Sequence, residues 1–131
     1  MVHMPAVVHV IPKDQSAVRG VTTLGGELFV VHNKSSTIVV YNALDYESRR
    51  ITIPEVTSPQ CIVSCPHYNC LYVNDDKRNY ICRVQWSDSS VTDWCVYYAT
   101  SGLSVTSSHH LLVSQYSSNS LFEYATDGDC L

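Results

Sequence analysis

The sequence predicts an all-β fold built from three antiparallel units of short strands, and three observations lead to it. The chain has 131 residues, of which 45% are apolar and only 15% are charged, and Ser, Thr, Val and Tyr are abundant. This composition favours strands. The apolar run Leu28–Val31 recurs at Leu71–Val73 and again at Leu111–Val113, 43 and then 40 residues later. No stretch shows the apolar period of a helix, so the repeating unit is a meander of strands.

The first unit is predicted from short apolar runs bounded by turn residues. Residues 1–5 are interpreted as a cloning remnant, and residues 6–12 as an isolated strand that ends at Pro12. The unit itself covers residues 20–54. Gly25-Gly26 joins its first two strands, because adjacent glycines allow the positive φ of a tight hairpin turn. Its four strands are Gly20–Thr23, Leu28–Val31, Ile38–Tyr41 and Arg49–Ile53.

The second and third units follow the same plan. The second covers residues 61–97 and turns between Cys65 and Cys70, and the third covers residues 103–125 and turns at His109-His110. The third unit lacks a fourth strand. The predicted strands of both units are Ile62–Ser64, Leu71–Val73, Tyr80–Gln85, Val91–Val96, Leu103–Thr106, Leu111–Ser114 and Ser120–Tyr124.

The strand count predicts a β-propeller. One isolated strand, two complete units and a unit of three strands are what a propeller shows when its first strand completes its last blade. Three blades cannot form a ring, because propellers use about four to eight. We therefore expect half of a six-bladed propeller, completed by a second copy of the chain. In this homodimer the strand at 6–12 closes the last blade of either copy, by strand exchange or by closure within the chain.

Several of these stretches also resemble a known family. They are Gly20–Val31, Ile62–Asn74, Leu103–Thr106, Leu111–Val113 and Leu121–Tyr124. On them the chain resembles the N-terminal half of six-bladed NHL-type β-propellers, which occur in many marine invertebrate proteins, some of them after tripartite-motif regions. The resemblance covers nearly the whole chain and implies the propeller fold. For function it implies only the binding of a protein, an RNA or another ligand, because the fold does not select among them.

Charge and motifs narrow the classes of function. The net charge is −4, which opposes a general attraction to nucleic acid or to anionic lipid. No apolar run approaches the roughly 20 residues that a membrane span requires. The sequence contains no nucleophile elbow, no zinc-protease motif and no phosphate loop, and we expect neither a catalytic activity nor a cofactor or metal. The sequence does not determine the cellular compartment, and we favour the cytoplasm.

The candidate binding residues lie on one end of the predicted blades, in the loops between the second and third strands. His32, Asp75 and Gln115 begin these loops at equivalent positions of the repeat. Loops on a rigid scaffold carry function, but solvated turns rich in Ser, Asn and Asp explain the same pattern. The further candidates at this end are Arg19, Lys34, Lys77, Arg78 and Tyr116.

The cysteines and the His109-His110 pair have local interpretations. Cys65 and Cys70 bracket a hairpin turn and either form a disulfide or pack as two reduced thiols. Cys82 and Cys95 lie on neighbouring strands and could face each other. His109 and His110 point to opposite faces if they lie on a strand, so we interpret the pair as a turn and not as a metal site.

Three functions remain in competition. The first is a non-enzymatic scaffold that binds a protein or a ligand through its loop face. The second is an RNA-binding propeller of NHL type, which needs a basic patch with a stacking side chain. The third is a calcium-dependent hydrolase of the lactonase type, which needs acidic ligands that converge on a central ion.

Overall fold

The computed structural model describes residues 17–131, so the predicted strand at 6–12 and the remnant at 1–5 lie outside the described residues. The strands within this part of the chain are β1 Val18–Leu24, β2 Glu27–His32, β3 Thr37–Asn42, β4 Ser48–Thr52, β5 Pro59–Cys65, β6 Cys70–Asp75, β7 Tyr80–Gln85, β8 Val91–Cys95, β9 Thr100–Val105, β10 Leu111–Gln115 and β11 Leu121–Tyr124.

The strands form three antiparallel sheets of four, four and three strands, as the sequence predicts. The first sheet has the order β1-β2-β3-β4, the second β5-β6-β7-β8, and the third β9-β10-β11. At the edge of the third sheet the chain also turns back along β11. The backbone N–H of Leu131 donates to the Glu123 carbonyl at 2.7 Å, and Cys130 forms a single bridge with Tyr124. These last residues occupy the position of a fourth strand.

The core lies between successive sheets. Alternate residues of each strand point to opposite faces, so every sheet has one face toward the preceding sheet and one toward the following sheet. Between the first two sheets the buried side chains are Phe29, Val31, Ile38, Val40, Ile62, Leu71, Val73, Cys82 and Val84. Between the second and third sheets they are Cys65, Cys70, Tyr72, Ile81, Val96, Leu111, Val113 and Tyr124.

A β-bulge recurs at the same position in the innermost strand of every sheet. The register shifts between Val18 and Gly20 in β1 and between Pro59 and Cys61 in β5. It shifts again opposite Ser114 and Gln115, between Gly102 and Thr100 of β9. The extra residues are therefore Arg19, Gln60 and Ser101. Bulges redirect side chains and are common beside functional sites.

Candidate functional site

The two ends of the sheets carry different connections. The loop end carries the β2–β3, β6–β7 and β10–β11 loops together with the connections between successive sheets. A backbone hydrogen bond joins each of these loops to the connection before its own sheet. The three bonds run from Asn33 N to Ala17 O at 2.8 Å, from Asp76 N to Ser58 O at 3.0 Å and from Tyr116 N to Ala99 O at 2.7 Å. The residues that we singled out in the loops therefore share one end of the molecule.

Asp75 is a structural anchor. Its buried Oδ2 accepts hydrogen bonds from the backbone N–H of Thr57 at 2.7 Å and of Ser58 at 3.2 Å, and from the Thr57 hydroxyl at 2.8 Å. Its Oδ1 accepts from Lys77 N at 2.9 Å. Burial raises the pKa of the Asp75 carboxyl, but the bonds from Thr57, Lys77 and Ser58 outweigh burial and hold the pKa below its ordinary value. This carboxylate holds the connection between the first two sheets in place.

The residues equivalent to Asp75 have other environments. His32 is buried at the end of β2. Gln115 turns toward its own loop, where its Oε1 accepts from the Ser118 hydroxyl at 3.2 Å. Equivalent positions in the repeat therefore do not form one shared site.

Two of the basic candidates contact other groups of the protein. Arg19 Nη2 lies 3.8 Å from Asp76 Oδ2. Arg78 donates to the Glu55 carbonyl at 3.0 Å, and its guanidinium lies 4.5 Å from the centre of the Tyr80 ring. Lys34 lies in the β2–β3 loop with a positive φ of 54°. The backbone N–H of Lys77 donates to Asp75. Two of the four cations thus contact acceptors or rings of the protein itself.

A cleft opens at the loop end between the second and third sheets. Its volume is about 330 Å³, and its walls are Gln60, Asp76, Ala99, Thr100 and Tyr116. The Tyr116 side chain is 61% exposed. Two of the predicted residues contribute here: Tyr116 directly, and Arg19 through its pairing with Asp76.

The buried side chain of Asn74 holds two residues of the cleft, Gln60 and Thr100, from the interior side. Asn74, at 0% exposure, donates from Nδ2 to the Thr100 hydroxyl at 2.7 Å and to Gln60 Oε1 at 3.3 Å. Its Oδ1 is buried without a hydrogen-bond partner. An unpartnered buried acceptor costs about 1–3 kcal/mol, so it needs a reason in a native structure.

The equivalent junction between the first two sheets has an apolar residue at the position of Asn74. Val31 occupies there the position of Asn74 and is fully buried in the apolar core. The Asp75 anchor and the Arg19–Asp76 pair lie at that junction, whereas Gln115 leaves the connection before β9 unanchored by its side chain. The junction between the second and third sheets therefore differs from the first in two ways. It has Asn74 where the first has Val31, and it has Gln115 where the first has the Asp75 anchor.

Sequence reasoning missed Asn74, Gln60 and Thr100. A signal for Asn74 was present, because Val31 precedes it by the repeat length of 43 residues and a polar residue replaces an apolar one. Departures from a consistent pattern are where functional sites are expected.

The described residues offer no metal site of the usual kind. Between residues 17 and 131, no group of three or more His, Cys, Asp and Glu side chains could hold an ion. No helix in that range is long and apolar enough to span a membrane.

Cys65 and Cys70 form the last residue pair of the β5–β6 hairpin. Both are buried and present as thiols, and burial raises the pKa of the Cys70 thiol. Their oxidation to a disulfide stays a prediction. The suggestion that Cys82 faces Cys95 is wrong, because the register pairs Cys82 with Asp93 and Cys95 with Tyr80. A shift of two residues along an antiparallel pair separates the two sulfurs.

The His109-His110 pair lies in the β9–β10 turn, at the end opposite to the loops. The His109 ring stacks on His67 with centroids 3.8 Å apart. His110 Nδ1 lies 2.6 Å from Glu123 Oε2. The two rings thus contact different groups.

No family model matches the sequence, and no curated protein matches it. The chain does match solved structures. A streptogramin B lyase is 16% identical with a TM-score of 0.77, and the match covers 92% of this chain and 41% of the lyase. Hydrazine synthase of Kuenenia stuttgartiensis is 13% identical with a TM-score of 0.77, covering 97% and 38% of the two chains. A chain of a nidogen/laminin complex is 11% identical with a TM-score of 0.75, covering 87% and 46%.

These similarities show the fold alone. The three sheets form part of a β-propeller, and each sheet is a blade. The chain spans about two-fifths of the length of the lyase and of the hydrazine synthase chain. The matched structures include enzymes, so the fold leaves the function open.

Proposed function

We propose that the chain is a non-enzymatic propeller scaffold that binds a ligand or a partner protein at its loop end. The observation that carries this proposal is the cleft between the second and third blades, whose polar residues Gln60 and Thr100 are held in place by the buried Asn74. A ligand would form hydrogen bonds with Gln60, Asp76 and Thr100, which line this cleft. An exposed Tyr116 beside a polar cleft adds the apolar surface that binding sites use.

The test compares the two junctions within one molecule. A library of small fragments is screened by ¹H–¹⁵N correlation spectra of the full chain. We expect fragment-induced shifts to concentrate on Gln60, Thr100 and Tyr116, while Thr57 and Ser58 at the equivalent junction between the first two sheets stay silent. Fragments that bind equally at both junctions, or only at the turn end, would contradict the proposal.

A matched variant replaces Asn74 with the residue that the first blade has at this position. Asn74→Val removes the two hydrogen bonds that hold Gln60 and Thr100 in place, and should weaken fragment binding. We expect the free energy of unfolding to fall by about 1–3 kcal/mol, because the variant leaves the oxygens of Thr100 and Gln60 without this donor. Unaltered fragment binding would show that Asn74 does not position the residues of the site.

The alternatives have less support. RNA binding would require a basic patch, but Arg19 and Arg78 contact groups of the protein and the net charge is −4. A calcium-dependent hydrolase would require a set of acidic ligands, and the described residues provide no such cluster.

The same proposal includes a closed ring. We propose that a second copy completes a six-bladed propeller of NHL type. Two facts support it: the chain spans less than half of each of these propeller structures, and Leu121 is 68% exposed on the face of the last blade. The NHL assignment and the count of six depend on the sequence resemblance and the strand count.

A further inference from the structure

We propose that the cleft between the second and third blades binds a neutral, hydroxyl-rich ligand, namely a saccharide. This inference depends on the proposed function, since it names the ligand class of the same cleft. It follows from three properties of the residues there: their mixed hydrogen-bonding capacity, their balanced charge and their exposed aromatic ring.

The polar groups of the cleft include both donors and acceptors. The Asp76 carboxylate in the lining is an acceptor. The Thr100 oxygen accepts from Asn74, which leaves its hydroxyl hydrogen to donate. Gln60 uses Oε1 toward Asn74, which leaves its amide hydrogens to donate. A sugar hydroxyl both donates and accepts, so vicinal hydroxyls would match this mixture.

The charge at the cleft is balanced. Asp76 is the one charged side chain among the residues that line it, and Arg19 Nη2 approaches Asp76 Oδ2 to 3.8 Å. This distance exceeds that of a hydrogen bond, so the carboxylate keeps its capacity to accept from a ligand. The neighbouring Arg19 cation offsets its charge, so the site has no excess charge that would favour an ionic ligand.

An aromatic ring stands beside these polar groups. Tyr116 is 61% exposed, and its backbone N–H is fixed by a 2.7 Å bond to Ala99 O. Tyr97, on the connection that contributes Ala99 to the cleft, is 89% exposed. Tyrosine combines an apolar ring with a polar tip. Such a ring can pack against the C–H face of a pyranose while the amides bind its hydroxyls.

The experiment uses the full chain and named monosaccharides. Glucose, galactose, mannose and N-acetylglucosamine are titrated into ¹⁵N-labelled protein, with capped Gly and Asn peptides as a separate arm. Galactosamine and galacturonate test the importance of charge. We expect at least one neutral sugar to shift the amides of Thr100 and Tyr116, and to bind more tightly than its charged counterparts.

Variants separate the ring from the hydroxyl of the tyrosine. Tyr116→Ala should weaken sugar binding at least ten-fold, and Tyr116→Phe should retain most of it if the ring packs on the sugar. Leu44→Ala, at a side chain 92% exposed in the β3–β4 turn, is the control and should bind as the wild type does.

The outcomes distinguish this inference from the proposed function. If only the capped peptides shift the cleft residues, the saccharide inference is wrong and the binding scaffold stands. If charged sugars bind more tightly than neutral ones, the inference is also wrong. If neither sugars nor peptides nor fragments shift Thr100 and Tyr116, the inference and the proposed function both fail.

Discussion

Asp75 shows how one buried carboxylate can hold two parts of the chain together. It accepts from Thr57 and Ser58 in the connection between blades and from Lys77 in the loop beyond β6. We predict that Asp75→Asn lowers the free energy of unfolding at pH 7 by about 1–3 kcal/mol, because an amide cannot accept all of these bonds. Urea unfolding measures the loss. Asp88→Asn is the control, since Asp88 lies in an exposed turn and accepts one bond from Ser90 N; we expect a smaller loss there.

The pH dependence of this effect has a definite sign. The pKa of Asp75 is lower in the folded protein than in the unfolded chain. Its ionisation therefore stabilises the fold above the unfolded pKa, about 3.9, and this stabilisation is lost as the pH falls through the folded pKa. The difference between wild type and Asp75→Asn should shrink below about pH 4. A difference that stays constant across the acid range would show that the charge is not what anchors the connection.

At the level of single residues the sequence predicted position better than role. It placed His32, Asp75 and Gln115 at the beginning of equivalent loops, because the spacing of the apolar runs gives the repeat length. It could not show that Asp75 reaches across to Thr57 while Gln115 turns to Ser118. The partner of a side chain depends on the length and charge of that side chain, and these differ between equivalent positions of the repeat.

At the level of the strands the prediction was more successful. Short runs with period two and turn residues between them suffice to place antiparallel hairpins, and Cys65 does face Cys70 across one of them. The bulges at Arg19, Gln60 and Ser101 were not predicted, because a bulge depends on the register between two strands and leaves no change in composition. The cleft escaped prediction for the same reason, since Gln60 reaches Asn74 from a bulge.

Gly20 of β1 packs directly against the backbone of β5. A Cβ at this position would lie 3.2 Å from the Ile62 backbone nitrogen and 3.3 Å from Val31 Cγ2. We predict that Gly20→Ala lowers the free energy of unfolding by about 1–3 kcal/mol and that Gly20→Val lowers it further, because the backbone of β5 cannot move aside. Chemical unfolding of both variants, with Leu44→Ala as an exposed control, gives the comparison. A Gly20→Val protein as stable as the wild type would show that the blades can separate freely at this point.

At the scale of the whole molecule, the third blade exposes an apolar face that no further blade covers in a single described chain. Leu121 occupies in that blade the position that Ile38 and Ile81 occupy in the first two. Those two isoleucines are 1% and 0% exposed because the following blade covers them, whereas Leu121 is 68% exposed. A shallow cleft of about 240 Å³ with Leu103, Leu112 and Leu121 in its lining extends over the same face. In a closed propeller a further blade would cover this surface, and the second copy that we propose would provide it.

We predict that two copies of the chain associate through this face and that a single substitution at Leu121 prevents the association. Multi-angle light scattering should give about twice the chain mass of 14.7 kDa for the wild type. Leu121→Lys should give the mass of a single chain with an unchanged circular dichroism spectrum, because the side chain is exposed within one copy and its charge would have to be buried between two. Leu44→Lys, at a position 92% exposed in a turn away from this face, should keep the dimer mass. A wild-type protein that stays at 14.7 kDa over a wide range of concentration would contradict closure by a second copy. Equal loss of association in both lysine variants would place the interface elsewhere.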